Sequence, residues 1–203
     1  MTVGIVDYDA GNLTSVENAL RHLGYQWKLS GDPRDLEDTD RLIFPGDGHA
    51  ATSMENLRAR GLDSFLTRYV AGGRPVLGIC VGSQIVLNSS EEGGAVCLGL
   101  VPGTCKRLPG GAGLKVPHMG WNSVHFETQH QLTANLPQDS SFYFVHSYYT
   151  VPAPSVTVLG TTDHGIPFVV GFLEKNLVTW QFHPEKSGEV GLKLVDNFLK
   201  WRP

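Results

Sequence analysis

Cysteine is scarce in this sequence, which has only three such residues, Cys80, Cys97 and Cys105, in 203. Three cysteines are too few for a disulfide scaffold. No apolar run approaches the ~20 residues that span a bilayer. The segment MTVGIVDYDAG at the N-terminus lacks the basic start and apolar stretch of an export signal. We therefore expect a cytoplasmic protein without a membrane segment.

Positive charge is limited as well. Lys and Arg number 16 against 20 Asp and Glu, which gives a net charge of -4. Nucleic acids and membrane surfaces are bound through basic patches, so the composition argues against both partners. The 41% of hydrophobic residues is that of an ordinary globular protein. The length and the absence of a long linker predict one domain over residues 1–203.

The first half of the chain alternates short apolar runs with helical spacing. Strands are predicted at TVGIVD (2–7), RLIFPG (41–46) and PVLGI (75–79). Helices are predicted from Leu13 to a stop at Gly24, over 51–71 with a break near Gly61, and over 81–88. A capping box of Thr14 and Glu17, or Asn12 as the cap, would start the first helix. This alternation predicts a parallel sheet with helices on both faces.

The second half is richer in strand signals. Short apolar or aromatic runs are separated by Gly, Pro, Asn and Asp, and a helix is expected from about Ser187. The runs are KRL, WNSVHF, FYFVHSYY, TVLGTT, FVVGFL and LVTWQF.

Cys80 lies between Gly78 and Gly82, at the end of an apolar run. A side chain on a sharp strand-to-helix turn needs small neighbours two positions away, and glycine meets that need. The helix N-terminus beyond it favours a thiolate. GICVG is therefore typical of a nucleophile elbow, although a buried, inert cysteine is the alternative. Cys97 and Cys105 have no such setting.

A cysteine nucleophile needs a base, and His183 in TWQFHPEKS is the candidate. An extended HPE segment would place Glu185 on the same side as the imidazole, where it would orient the ring. A metal-binding pair or a solvated turn are the alternatives, and the absence of further ligands at suitable spacing weakens the metal interpretation. His146, in YFVHSYY, is a second candidate base, but it lacks an adjacent carboxylate, which favours a structural role.

A third feature is the turn FPGDGHA (44–50), which follows a predicted strand. Such a turn can aim backbone N–H groups at a developing oxyanion. By itself the signal is weak, because Pro-Gly after a strand is usually only a turn.

Taken together, the motifs resemble the class I glutamine amidotransferases, and within them the glutaminase subunits of imidazole glycerol phosphate synthase. The resemblance runs nearly end to end, and KVPHMGWN with GNLTSV is its most specific part. The motifs are VDYDAGNLTSV, PGDG, GICVGSQ, SSEEGG, KVPHMGWN, YFVHSYY and QFHPEKS. The resemblance implies an α/β fold, in which a mostly parallel central sheet is flanked by helices and extended by antiparallel strands.

The resemblance also implies roles for residues. Cys80 would attack the side-chain amide of glutamine, His183 would transfer protons, and Glu185 would orient His183. The PGDG turn would form the oxyanion hole. The substrate contacts would be Gly46, Asp47, Gly48, Gln84, Ser147 and Tyr148. No cofactor and no metal are implied.

In that family ammonia passes to a partner, a (β/α)8-barrel cyclase that makes imidazole glycerol phosphate and an aminoimidazole carboxamide ribotide. We expect such a partner here, because the sequence shows no second catalytic region. The resemblance implies that the KVPHMGWN segment contacts it. The candidate contacts are Lys115, Pro117, Met119, Trp121 and Asn122, with core packing as the alternative for Trp121.

Some positions depart from the family pattern. Asp47 replaces an apolar residue in the oxyanion turn, His49-Ala50 replaces Ala-Phe, and the elbow carries Val81 and Ser83 in place of Leu and Met. A carboxylate pointing into the oxyanion turn would oppose negative charge. Two alternatives therefore stay open: the same chemistry serving a surface-sugar amidation enzyme, and a non-catalytic interaction module.

Overall fold

One large sheet runs through the protein in the computed structural model, which describes residues 1–9, 11, 13–111 and 114–203. Its strands in the described part are β1 Thr2–Val6, β2 Gln26–Ser30, β3 Arg41–Phe44, β4 Val76–Ile79, β5 Ser89–Ser90, β6 Ala95–Val96, β7 Gly103–Arg107, β8 His118–Phe126, β9 Ser140–His146, β10 Tyr148–Pro152, β11 Thr157–Asp163, β12 Pro167–Glu174 and β13 Leu177–Trp180. The helices are α1 Leu13–Leu23, α2 Pro33–Leu36, α3 Ala50–Ala59, α4 Leu62–Ala71, α5 Val81–Ile85 and α6 Gly188–Lys200.

The strand order determines which strand ends lie next to one another. It reads β2-β1-β3-β4-β13-β12-β10-β7-β5-β6, with β11, β8 and β9 attached through β12. The pairs β1–β2, β1–β3, β3–β4 and β4–β13 are parallel, whereas β12 is antiparallel to β13 and to β10. The carboxyl ends of β3, β4 and β13 therefore lie side by side at one edge of the sheet. The predicted fold class, a mostly parallel centre flanked by helices with added antiparallel strands, is confirmed.

Most predicted elements of the first half are confirmed. The three apolar runs are β1, β3 and β4, and the break between α3 and α4 falls at Gly61, whose φ is +68°. The helix predicted over 81–88 ends earlier, at Ile85. Strand β2 has no counterpart among the predicted elements, because QWKLS is a half-exposed edge strand without an apolar run.

The capping-box prediction for the first helix is wrong. Helix α1 begins at Leu13, so Thr14 lies inside the first turn and cannot precede it. The Glu17 carboxylate instead accepts a hydrogen bond of 3.0 Å from the indole Nε1 of Trp27. The alternative cap, Asn12, lies outside the described residues.

The run FYFVHSYY forms two strands rather than one. Strand β9 ends at His146, Ser147 makes the break, and β10 begins at Tyr148. Strand β9 pairs with β8, whereas β10 pairs with β7 and β12. The chain therefore changes neighbours at Ser147, which places this turn over the edge where β4 and β13 end. In the described ranges no helix has both the length and the apolar character of a membrane span.

An aromatic cluster fills the core behind this edge. Trp180 is fully buried and stacks on Phe182 at 5.2 Å, and Phe182 stacks on Phe142 at 4.1 Å between ring centroids. Gly171, opposite Trp180 in the β12–β13 pair, leaves room for the indole, since a Cβ there would overlap its six-membered ring. The glycine is thus required by the close approach of a large side chain.

We expect Gly171→Ala to destabilise the fold by about 1–3 kcal/mol, because the added methyl group overpacks a filled core. Urea unfolding followed by tryptophan fluorescence measures this change. Gly110→Ala is the matched control, since a Cβ at Gly110 meets no atom within 4 Å. An equal effect of both substitutions would contradict the packing argument.

Candidate active site

Cys80 occupies the sharp turn between β4 and α5. Its φ of 54° and ψ of -112° lie in a region that L-residues rarely adopt. Its backbone N–H donates to the Trp180 carbonyl oxygen at 2.9 Å. The residue is only 3% exposed. The backbone conformation predicted for a nucleophile elbow is present.

The two flanking glycines are needed for this turn. A Cβ on Gly78 would lie 3.0 Å from the Gly82 carbonyl oxygen. A Cβ on Gly82 would overlap the carbonyl oxygen of Phe44, the last residue of β3. Larger side chains would push the elbow away from the neighbouring strand.

His183 comes three residues after β13, which lies beside β4 with Trp180 opposite Ile79. Its backbone N–H donates to the Tyr143 carbonyl at 3.0 Å. The imidazole Nδ1 lies 2.7 Å from Oε1 of Glu185, and the two side chains are 4% and 3% exposed. The expected extended HPE segment is wrong, because residues Pro184–Lys186 form a 3-10 turn. The turn nevertheless brings the carboxylate to the imidazole.

The electrostatics favour a charged imidazole. Burial by itself would lower the pKa of His183, but the Cys80 thiolate and the hydrogen-bonded Glu185 carboxylate outweigh it and raise the pKa to about 10. A raised folded-state pKa stabilises the fold fully below the ordinary value of 6.5, and this contribution is lost as the pH rises towards 10. Near neutral pH the imidazole of His183 is therefore charged.

A cavity of about 150 Å³ opens onto the sulfur. It is smaller than the roughly 300–1,000 Å³ of drug-sized sites, which suits a substrate of amino-acid size. The predicted residues that line it are Asp47, Gly48, Cys80, Gln84, Ser147, Tyr148 and His183. Glu185 lies behind His183. Gly46 does not line the cavity, which corrects its predicted position beside the substrate.

Gly46 lies instead behind the elbow. Its carbonyl oxygen accepts the backbone N–H of Val81 at 3.4 Å, and a Cβ on Gly46 would overlap the hydroxyl of Tyr8. That hydroxyl donates to the Pro45 carbonyl at 2.8 Å. Burial, together with the charges of Cys80 and Asp47, raises the pKa of Tyr8, which keeps it a neutral donor. In this conformation the N–H after the nucleophile is therefore engaged within the protein, not directed at the cavity.

The Asp47 carboxylate does not point at the sulfur. Its Oδ1 accepts a hydrogen bond of 2.8 Å from the backbone N–H of Gly11. This bond ties the turn after β3 to the loop after β1. The carboxylate is satisfied by a backbone donor, which reduces its opposition to charge in the cavity.

The other departures from the family pattern also find local partners. Ser83 is 1% exposed, and its hydroxyl donates to the Cys80 carbonyl at 2.6 Å. The backbone N–H of Ala50, the first residue of α3, donates to Oε2 of Glu92 at 2.7 Å. None of these contacts displaces Cys80, His183 or Glu185.

Gln84 is held rigidly. Its Nε2 donates to the Tyr148 carbonyl at 3.0 Å and to Oε1 of Gln181 at 2.9 Å. The Gln181 Nε2 in turn lies 3.9 Å from the Cys80 sulfur. Both N–H groups of Gln84 are thus used, which leaves its carbonyl oxygen for a ligand. The Tyr148 carbonyl supports Gln84 rather than serving as a free acceptor.

Several residues around the cavity are absent from the sequence predictions. Glu92 and Val145 line it, and Tyr8 and Gln181 support it from behind. SSEEGG contributed to the resemblance, and its position in that motif is the signal that would have singled out Glu92. No local pattern marks Tyr8 or Gln181, because their roles arise from contacts across the sheet.

The other candidates from the sequence fall into two groups. Cys97 and Cys105 are buried, and burial raises the pKa of the Cys97 thiol to about 11 and that of Cys105 further. Neither is a reactive thiolate. His146 lines the cavity, but its Nδ1 lies 2.8 Å from the Tyr148 carbonyl, so it is held in the wall.

Most of the residues predicted in KVPHMGWN to contact a partner are exposed. Lys115 and Pro117 are exposed, and Asn122 is half-buried. Met119 and Trp121 are 63% and 60% exposed and lie on the same face of β8. Core packing of Trp121 is therefore wrong. Two large apolar side chains exposed on one strand face are typical of an interaction surface.

Comparison with known proteins agrees with this geometry. The family described as glutamine amidotransferase class-I matches residues 4–201. The chain belongs to this family. A buried cysteine, histidine and carboxylate beside one cavity agree with membership of a glutamine amidotransferase family.

The similar proteins define a narrower group. The chain is 46% identical to the imidazole glycerol phosphate synthase subunit HisH of Dehalococcoides mccartyi strain CBDB1 over 199 residues, which is 98% of this chain and 96% of that protein. It is also 46% identical to the HisH subunit of Moorella thermoacetica, over 97% of this chain and 93% of that protein.

Solved structures support the fold alone. PurLQS from Thermotoga maritima matches with a TM-score of 0.75 and 18% identity, over 98% of this chain and 97% of that one. A glutamine amidotransferase from the same organism gives a TM-score of 0.66 at 16% identity, over 98% and 80%.

We expect Glu185→Gln to lower the pKa of His183, because the substitution removes the adjacent negative charge but retains a hydrogen-bonding group. NMR titration of the imidazole measures this pKa. Glutamine hydrolysis should fall on the order of 100-fold. The exposed Glu189, in α6, supplies the control Glu189→Gln. An unchanged His183 pKa in Glu185→Gln would contradict the assignment.

Proposed function

We propose that this chain is the glutaminase subunit of an imidazole glycerol phosphate synthase in histidine biosynthesis. It would act as one cytoplasmic catalytic domain that hydrolyses glutamine and passes ammonia to a cyclase. The observation that best supports the proposed reaction is the position of Cys80 and His183, which come close together after the ends of adjacent parallel strands. The HisH relatives, at up to 46% identity over nearly the full length, support the pathway.

The first half-reaction uses the charged pair. The Cys80 thiolate attacks the side-chain carbonyl carbon of glutamine, and the oxygen becomes an oxyanion. The His183 imidazolium gives its proton to the departing nitrogen, so ammonia leaves and a glutamyl thioester remains. The Nε2 of His183 is buried and has no hydrogen-bond partner among the described residues, which leaves it free for this transfer.

The second half-reaction reverses the proton transfer. The neutral His183 accepts a proton from water, whose oxygen attacks the thioester carbonyl, and glutamate leaves as the thiolate is restored. The Glu185 carboxylate, 2.7 Å from Nδ1, holds the ring in one tautomer and stabilises its charged form. Each turnover consumes one glutamine and one water and produces one glutamate and one ammonia.

The cavity supplies groups for the rest of the substrate. The Glu92 carboxylate offers a negative charge for the α-ammonium group of glutamine, and the Gln84 carbonyl oxygen offers an acceptor. Gly48 and Ser147 also line the cavity. This arrangement recognises a small amino acid with a cationic amine.

The oxyanion turn suggests how activity is controlled. The Val81 N–H is bonded to the Gly46 carbonyl, so it cannot stabilise an oxyanion until that carbonyl turns away. We infer that the isolated chain is slow and that partner binding favours the turned conformation. The partner would be a (β/α)8-barrel cyclase docked on the surface around Met119 and Trp121.

The decisive experiment measures glutamine hydrolysis with and without the cyclase and its ribotide substrate. We expect strong stimulation by the liganded cyclase, since hydrolysis without an acceptor wastes glutamine. Equal turnover in both conditions would overturn the proposal. In the complex, Cys80→Ala should abolish glutamine-dependent synthesis and spare synthesis from ammonium salts. Loss of both activities would show that Cys80 serves structure instead.

We expect Trp121→Ala to weaken cyclase binding by about 2 kcal/mol or more, since exposed tryptophans at interfaces carry much of the binding energy. Isothermal titration calorimetry measures the affinity. Val96, an exposed apolar residue on the edge strand β6, supplies the control Val96→Ala. Unchanged affinity in Trp121→Ala would place the interface elsewhere.

A further inference from the structure

Two buried histidines lie between the cavity and the outer face of β8. His118 and His146 are directly opposite each other in the β8–β9 pair and are 4% and 6% exposed. The Nδ1 of His118 lies 2.9 Å from the Nε2 of His146. The proposed proton transfers do not use this contact.

The direction of this hydrogen bond follows from its ends. The Tyr148 carbonyl can only accept, so the His146 Nδ1, 2.8 Å away, carries the hydrogen. In a neutral ring the Nε2 of His146 is then an acceptor, and the His118 Nδ1 must donate to it. The Nε2 of His118 in turn accepts from the Asn122 amide nitrogen at 3.2 Å.

The Asn122 amide is oriented by two further contacts. Its Nδ2 donates to the Asp163 carbonyl at 2.9 Å, and its Oδ1 accepts from the Ser123 N–H at 2.8 Å. A proton added to either imidazole would bring two donors face to face. Consistent with this, burial lowers the pKa of His118 to about 4 and that of His146 to about 3.

The other end of the chain of bonds reaches the nucleophile. The Tyr148 carbonyl that accepts from His146 also accepts from Gln84, whose second N–H is bound to Gln181. Gln181 lies 3.9 Å from the Cys80 sulfur. A series of hydrogen bonds that converges on the Tyr148 carbonyl thus links Asn122, on the strand that exposes Met119 and Trp121, with the glutamine cavity.

We propose that His118 and His146 are positioning residues: they fix the Tyr148 carbonyl and hence the orientation of Gln84 towards glutamine, and so link β8 to the substrate cavity. This inference rests on the proposed glutaminase function. Loss of the His118 donor leaves the buried Nε2 of His146 unsatisfied, and the ring is then free to change tautomer or turn. The Tyr148 carbonyl would lose its second support.

The variants separate hydrogen bonding from packing. His118 stacks on Phe144 at 4.6 Å, so His118→Phe preserves an aromatic ring but removes the donor. His118→Asn restores an N–H near the position of Nδ1. His125→Phe is the control, because His125 lies on the same strand but is exposed and outside the series.

The assay uses the isolated chain and a diazoketone analogue of glutamine that alkylates Cys80, followed by mass spectrometry. We expect His118→Phe to raise the half-saturating concentration of the analogue about tenfold, the effect of one lost buried hydrogen bond. His118→Asn should recover most of this loss, and His125→Phe should change it less than about twofold. Alkylation by iodoacetamide, which needs no glutamine site, should be unchanged in all three.

Equal analogue affinity in His118→Phe and wild type would overturn the inference. So would a parallel loss of iodoacetamide reactivity, which would show general damage around Cys80. Failure of the analogue to label wild type even in the presence of the liganded cyclase, with iodoacetamide still reactive, would instead overturn the proposed function on which the inference rests.

NMR of the ¹⁵N-histidine-labelled chain tests the hydrogen-bond direction even where a variant fails to fold. Both His118 and His146 should be neutral and carry their hydrogen on Nδ1, which is the minor tautomer of free histidine. An Nε2–H tautomer of either ring in the wild type would overturn the inference.

Discussion

The parallel pairing of β4 with β13 is the contact on which the site depends. It places Ile79 opposite Trp180, so that Cys80 and His183 leave the sheet at the same edge although about a hundred residues separate them. The Cys80 N–H bond to the Trp180 carbonyl continues this ladder into the elbow. The cavity exists because both chains turn away from the sheet at this point, as they do at the carboxyl edge of many parallel sheets.

A second constraint is the burial of His183 against Glu185, whose side chains are both almost fully buried. Burial alone would lower the pKa of His183, but the charges of Cys80 and Glu185 outweigh it and raise that pKa. The charged imidazole is thereby ready to donate a proton. The turn after β3 does not present the Val81 N–H to the cavity, because this N–H donates to the Gly46 carbonyl. Under the proposed function, Cys80, His183 and Glu185 are thus already adjacent, whereas the oxyanion hole still has to form.

Local sequence patterns predict the strands and the elbow well, but they predict the details of the site only in part. The apolar runs of β1, β3 and β4 and the glycines around Cys80 were informative, because burial and close approach act on neighbouring residues. The contact between Glu185 and His183 agrees with the prediction, but the backbone does not, since proline begins a 3-10 turn there. Gly46, which the resemblance predicts beside the substrate, instead has its carbonyl against Val81. Glu92 is absent from the predicted site, because only its position in SSEEGG, and no pattern of its own, marks it.

By itself the sequence determined the fold class, the elbow and the identities of Cys80, His183 and Glu185, because spacing and residue type follow from local geometry. Only the tertiary structure decided that Trp121 is exposed, that Asp47 turns to Gly11, and that His118 and His146 form one directed series. Those outcomes depend on strands that are far apart in the chain. Hydrogen-bond direction in particular is set by the acceptor at the end of the series, which no local pattern contains.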